Sequence, residues 1–189
     1  ETITAAVAAE GLFDREINEV KQHGHVWLRV EPLPRGAGNS FVLNIPDGKI
    51  PEVYYPAIEK AFYEASAVGP LSGYPLMDLK ATLFNGSYNE LASSEIGYRI
   101  ATTMALRDAV ERAQPVLLEP IMEVEIVTPE DFMGEIIADL NSRKGKIEMI
   151  ENKGKTRIIK SRGSPVNIFG YSTSLRSSSQ GRATFTMKF

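Results

Sequence analysis

The only histidines, His23 and His25, stand two apart in the stretch Gln22-His-Gly-His-Val26. On an extended segment that spacing puts both imidazoles on one face. Two imidazoles without a third donor make a poor zinc site, so a loop or interface role is the expectation. Glu123 and Glu125 also share a strand face, where salt bridging is expected rather than acid–base work. The serines Ser177–Ser179 have no histidine near them in sequence, and no G-x-S-x-G elbow occurs. Gly36-Ala-Gly-Asn-Ser-Phe41 is a partial dinucleotide pattern, but it precedes a strand instead of a helix. There is no G-x-x-x-x-G-K-[ST] phosphate loop, and Asn152-Lys-Gly-Lys155 lacks the aspartate that would read a guanine base. Asn85-Gly-Ser87 formally matches a glycosylation acceptor, yet reads better as an Asn-Gly turn. These residue types build no catalytic site, and the expectation is a chain that is not an enzyme.

The absence of cysteine excludes disulfides and thiolate metal sites. No apolar run approaches the roughly 18 residues that span a bilayer, and no signal peptide opens the chain, so a cytoplasmic protein without a membrane partner is expected. The net charge of −3 hides an asymmetry. Up to Pro115 there are 10 Lys and Arg against 15 Asp and Glu, and from Val116 onward 11 against 9. The basic residues of the second half crowd into Arg143–Arg162, the one electrostatic hint of a polyanion partner.

The elements that must carry these residues divide at Pro115-Val-Leu-Leu-Glu-Pro-Ile-Met-Glu-Val-Glu125. Its prolines favour extended chain, and its end alternates, with Ile121, Glu123 and Glu125 facing away from Met122, Val124 and Ile126. It reads as a joint between domains 1–115 and 116–189. In the first, residues 1–10 alternate loosely as a strand and Gly11–Glu16 reads as a connection. A long run to Leu33 sets His25, Trp27, Arg29 and Glu31 against Val26, Leu28 and Val30. Phe41–Ile45 is a short strand. Pro56 opens a helix with the stripe Ile58, Ala61, Phe62, Ala65. Tyr74–Phe84 reads as one long strand. Ser93 is the expected N-cap of a helix lined by Ile96, Ile100 and Met104 with Ala101, Ala105 and Ala109. In the second, Thr128 is the expected N-cap before Pro129, Gly145 the residue closing that helix, and Asn152-Lys-Gly154 a hairpin turn. A helix over about Val166–Ser178 and a strand over Arg182–Phe189 complete the order βαββαβ, that of a ferredoxin-like sandwich.

Several longer matches then point to one family. Pro115–Glu125, Thr128-Pro-Glu-Asp-Phe-Met-Gly-Glu-Ile-Ile-Ala-Asp-Leu-Asn141, Phe169-Gly-Tyr171, Leu175-Arg-Ser177 and Gln180-Gly-Arg182 closely resemble the C-terminal half of bacterial elongation factor G. Gly69-Pro-Leu-Ser-Gly-Tyr-Pro75, Gly86-Ser-Tyr88 and Ser93-Ser-Glu95 resemble it in the same order. The resemblance covers nearly the whole chain and corresponds to the factor's fourth and fifth domains. It implies an α+β fold of two domains, a ribosomal protein S5 domain 2-like βαβ module followed by the ferredoxin-like sandwich. It also implies that the GTP-binding, second and third domains precede Glu1, so that GTP and magnesium belong to that missing part and no cofactor to this one.

In such a factor the fourth domain enters the decoding centre, where its tip loops hold the tRNA–mRNA duplex during translocation. The resemblance places Lys21, Gln22, His23, Gly24 and His25 in one tip loop and Gly86, Ser87, Tyr88 and Asn89 in the other. Arg143, Lys144, Ser174, Arg176 and Arg182 fall where the second domain would face large-subunit ribosomal RNA. The implied partners are both ribosomal subunits, the tRNA–mRNA duplex and ribosomal RNA, met by a monomer. The departures lie at the tip. Ile17-Asn-Glu-Val-Lys21 lacks the family's usual glycines and includes Glu19, Asn89 replaces a common histidine, and Ala92 replaces an aspartate. These changes raise a paralogue specialised for ribosome recycling or rescue, or a GTPase-less ribosome- or RNA-binding module, as alternatives.

Overall fold

The computed structural model describes residues 1–168 and 170–189. Phe169 of the motif Phe169-Gly-Tyr171 therefore lies outside the described residues. The chain forms two compact units, Glu1–Leu118 and Glu119–Phe189, each with its own apolar core.

The first unit runs β1 (Val7–Ile17), β2 (Val20–Pro32), β3 (Ser40–Leu43), α1 (Tyr55–Ala65), β4 (Leu79–Ser87) and α2 (Glu95–Arg112). Its sheet has the order β1-β2-β4-β3, antiparallel except for the β3–β4 pair. The alternation read in β2 holds, with Val26, Leu28 and Val30 fully buried. Gly11–Glu16 is not a connection but the body of β1, paired with β2 without interruption from Val7↔Val30 to Ile17↔Val20. A strand at the sheet edge takes its register from its partner and needs little apolar pattern of its own. Asn18 and Glu19 close the hairpin at φ 49° and 64°, the left-handed pair of a type I′ turn.

Helix α2 lies against this sheet at backbone contact. A Cβ on Gly11 would strike the Ala101 carbonyl, and one on Gly24 would strike the Gly97 backbone. Only small side chains fit beneath such an approach. Ala101, Ala105 and Ala109 are accordingly buried, while Ile96 and Met104, expected beside them in the core, face outward. The cap also shifts by one residue, since the Ser94 hydroxyl accepts from the Gly97 N–H at 3.0 Å. That leaves Ser93 for another task.

The expected Tyr74–Phe84 strand begins only at Leu79. Asp78 interrupts it at φ 58°, and its buried carboxylate accepts from the N–H groups of Gly36 (3.1 Å) and Gly38 (2.8 Å) and from Arg35 (3.2 Å). This break reverses the phase of the alternation, so Leu76 is buried and Met77 exposed.

The second unit runs β5 (Met122–Pro129), α3 (Met133–Ser142), β6 (Lys146–Lys153), β7 (Thr156–Gly163), α4 (Pro165–Ile168), α5 (Tyr171–Ser178) and β8 (Thr184–Lys188). Its antiparallel sheet, ordered β6-β7-β5-β8, is the ferredoxin-like arrangement. Val124, Ile126 and Ile159 from the sheet meet Ile136, Leu140, Ile168 and Leu175 from the helices. Several boundaries differ from the sequence reading. Thr128 stays in β5 paired with Arg157, its hydroxyl donating to the Pro129 carbonyl, and a 3-10 turn at Glu130–Phe132 begins the helix instead. Lys144, at φ 58°, takes the left-handed position after α3, and the Gly145 N–H then donates to the Leu140 carbonyl at 2.9 Å. Lys153 pairs with Thr156, so the hairpin turns at Gly154-Lys155. The helix expected over Val166–Ser178 is two helices, with Gly170 left-handed at φ 74° before the second.

Candidate nucleic-acid interface

Both segments singled out as tip loops meet at one end of the first unit. The His23 N–H donates to the Ala92 carbonyl (2.9 Å) and the Ser94 N–H to the His23 carbonyl (3.1 Å), a parallel bridge between residues 70 apart in sequence. The Ser93 hydroxyl sits at the centre. It lies 3.1 Å from His23 Nδ1 and accepts from the Asn89 N–H at 2.8 Å. The Asn89 side-chain oxygen accepts from the Leu91 N–H at 3.0 Å, which fixes the loop as an Asx turn.

His25 is held in the same manner. Its Nδ1 is 2.8 Å from the Ser87 hydroxyl and its Nε2 is 2.9 Å from Glu10. Tyr98 supports the loop from α2 by donating to the Ser87 carbonyl at 2.8 Å. Tyr54 packs on Tyr98 at 4.7 Å and on Tyr88 at 6.3 Å between ring centroids. The two histidines are thus rivets between segments, and no group of three or more metal-ligating side chains gathers among the described residues. Gly24 and Gly86 are buried where other backbone passes close, and Gln22 is half-buried. Lys21, Tyr88 and Asn89 remain exposed, with Ser87 partly so.

The charge around these exposed groups is mixed. Lys21 stands across the hairpin from Glu16, and Glu19 and Glu90 are both exposed at the same end. A surface of this kind lacks the basic stripe that usually binds a phosphate backbone. Lys21 supplies the cation, Tyr88 a ring edge for stacking, and Asn89 an amide donor.

In the second unit four of the eight basic residues in Arg143–Arg162 are neutralised internally. Arg157 pairs with Glu130 (2.8 Å), Lys160 with Glu151 (3.1 Å), and Arg162 with Glu123 and Glu148 (3.3 Å each). Arg143 is also committed within the unit. It reaches Asp139 at 3.2 Å, the Asn167 carbonyl at 3.3 Å and the Ser174 hydroxyl at 2.8 Å, and lies 5.3 Å from the centre of the Tyr171 ring. Burial pushes the Tyr171 phenol above its ordinary pKa, aided by the nearby Asp139 charge and opposed by Arg143. Arg143 and Ser174 therefore pin α3 to α5, while Lys144, Arg176 and Arg182 are the exposed members of the predicted set.

Ser93 and Tyr54 organise the tip although neither was singled out for that role. Ser93 has the sequence signature of a cap one residue early, and Tyr54 carries no local signal beyond its place before Pro56. Their importance emerges only from pairing across the sheet.

The comparisons agree with this anatomy. Residues 1–114 match the family described as elongation factor G, domain IV, and residues 116–189 match elongation factor G C-terminus. The crystal structure of ttk003000868 from Thermus thermophilus is similar over 100% of this chain at 32% identity, with a TM-score of 0.88. The chain spans 28% of that protein's length. An S5-like α+β module followed by a ferredoxin-like sandwich defines the C-terminal end of a translation elongation factor. The chain belongs to the elongation factor G family, and it carries two of that family's non-catalytic domains.

Proposed function

We propose that these two domains form the ribosome-binding C-terminal part of a cytoplasmic, elongation factor G-like GTPase that promotes tRNA–mRNA translocation. GTP and magnesium would be handled by domains outside this chain. The observation that supports the reading best is the joining of Lys21–His25 and Gly86–Asn89 into one braced tip through His23 and Ser93. In this reading Lys21, Tyr88 and Asn89 approach the duplex in the decoding centre, and Lys144, Arg176 and Arg182 approach large-subunit RNA.

The acidic tip favours a second reading, a paralogue that acts in recycling or rescue. Glu19 would repel phosphates, although at physiological salt the Debye length of about 8 Å screens much of that effect. One set of variants separates the readings. In a complete factor carrying these domains, Asn89→His should raise the single-turnover translocation rate, and Glu19→Gly should raise it further. Glycine also takes Glu19's φ of 64° without the steric cost of a side chain. Translocation unchanged by both substitutions, with subunit splitting altered by them, would set the first reading aside for the second.

A further inference from the structure

Helix α2 is apolar on two opposite sides. The inner stripe of alanines meets the sheet, while Ile96, Ile100 and Met104 recur every fourth residue on the outer side. Ile96 is 53% exposed and Met104 43%. The outer stripe floors a groove walled by α1 at Ala61 and Glu64. On its other side Ile100 and Met104 continue into a second hollow against Phe13, Asp14 and Arg15 of β1. Two arginines mark the rim. Arg107 lines the α1 side and Arg15 the β1 side, and neither makes an ion pair among the described residues. Glu64 in the wall is already neutralised by Arg99 at 2.7 Å.

We propose that this groove docks an amphipathic protein helix whose polar edge carries carboxylates. The aliphatic floor of Ile96, Ile100 and Met104 asks for apolar side chains at helical spacing. The unpaired guanidiniums at the rim select acidic neighbours for those side chains, as bidentate partners of carboxylates. This inference is independent of the ribosomal reading above.

The test titrates the isotopically labelled 189-residue chain with a synthetic helical peptide that has Leu at i, i+3, i+4 and i+7 positions and Glu flanking them. A matched peptide with Lys in place of Glu serves as control. The Glu peptide should shift resonances of Ile96–Arg107 and Phe13–Arg15, and the Lys peptide should bind about tenfold more weakly. Combined Arg15→Glu and Arg107→Glu should reverse that preference. Met104→Glu should weaken the Glu peptide by about tenfold or more while leaving the Trp27-monitored unfolding midpoint unchanged. Equal binding of both peptides, or shifts confined to other surfaces, would overturn the proposal. So would a dimer in sedimentation that Met104→Glu dissociates, since the occupant would then be a second copy. An RNA oligonucleotide that moves the same resonances more tightly than the Glu peptide would overturn it as well.

Discussion

The backbone contact at Gly24 gives the first unit its sharpest test. Gly24→Ala adds one methyl group where the Gly97 carbonyl carbon and oxygen and the Tyr98 nitrogen already stand, so the clash is with backbone and not with a movable side chain. Relief requires α2 to lift from the sheet, which loosens Ala101, Ala105 and Ala109 together. Overpacking of this kind costs about 1–3 kcal/mol, and the rigid neighbours place it at the upper end, about 3 kcal/mol. With a urea slope of about 1–3 kcal/mol/M, the midpoint should fall by roughly 1–3 M. Trp27 is the single tryptophan and sits in β2, so its fluorescence reports the first unit alone. Gly134→Ala is the control. It lies in α3 with nothing within 4 Å of the added carbon, and it should stabilise the second unit by about 0.5–1 kcal/mol through helix propensity. A Gly24→Ala midpoint within experimental error of the parent would refute the claim that the two backbones touch there.

Two further outcomes follow from the ties described above. Burial alone would raise the Asp78 pKa, but the N–H groups of Gly38 and Gly36 and the charge of Arg35 together hold it below the usual carboxylate value. A depressed folded pKa contributes stability that is complete above the unfolded value, about 3.9, and is lost as pH falls through the folded one. Asp78→Asn should therefore flatten the acid limb of the stability–pH curve of the first unit, and an unchanged slope below about pH 4 would contradict the assignment. In the second unit Arg143→Ala should cost about 2–3 kcal/mol because it leaves Asp139 and Ser174 without their partner, whereas exposed Arg176→Ala should stay within about 0.5 kcal/mol. Equal losses measured by chemical unfolding would place Arg143 on the surface with the others.

The parts of the fold that were legible in sequence are those whose pattern reflects burial on one face. β2 shows this with Val26, Leu28 and Val30, and α3 with Ile136 and Leu140. β1 was hidden because it is an edge strand whose neighbour fixes its register. The phase change at Asp78 was hidden because a left-handed aspartate looks like any other polar position until its glycine partners are in place. The misassigned face of α2 has the same origin, since Gly11 and Gly24 decide which stripe fits and both lie far off in sequence. Site residues followed a similar rule. The pair of histidines was expected in a loop or interface role, but their partners, Ser93, Ser87 and Glu10, could not be read from spacing. The meeting of the two tip loops came from family resemblance, because no local spacing links His23 to a serine 70 residues away.

The charges on β1 have a further consequence. This strand is the free edge of its sheet over 11 residues, a length at which exposed N–H and C=O groups invite another strand to add on. Glu10, Asp14, Arg15 and Glu16 are spread along it, and charged side chains on an edge discourage such pairing. These charges thus keep the edge of the hairpin from seeding aggregates. An edge rebuilt with neutral glycines at Glu10, Asp14, Arg15 and Glu16 would lose part of its protection against self-assembly.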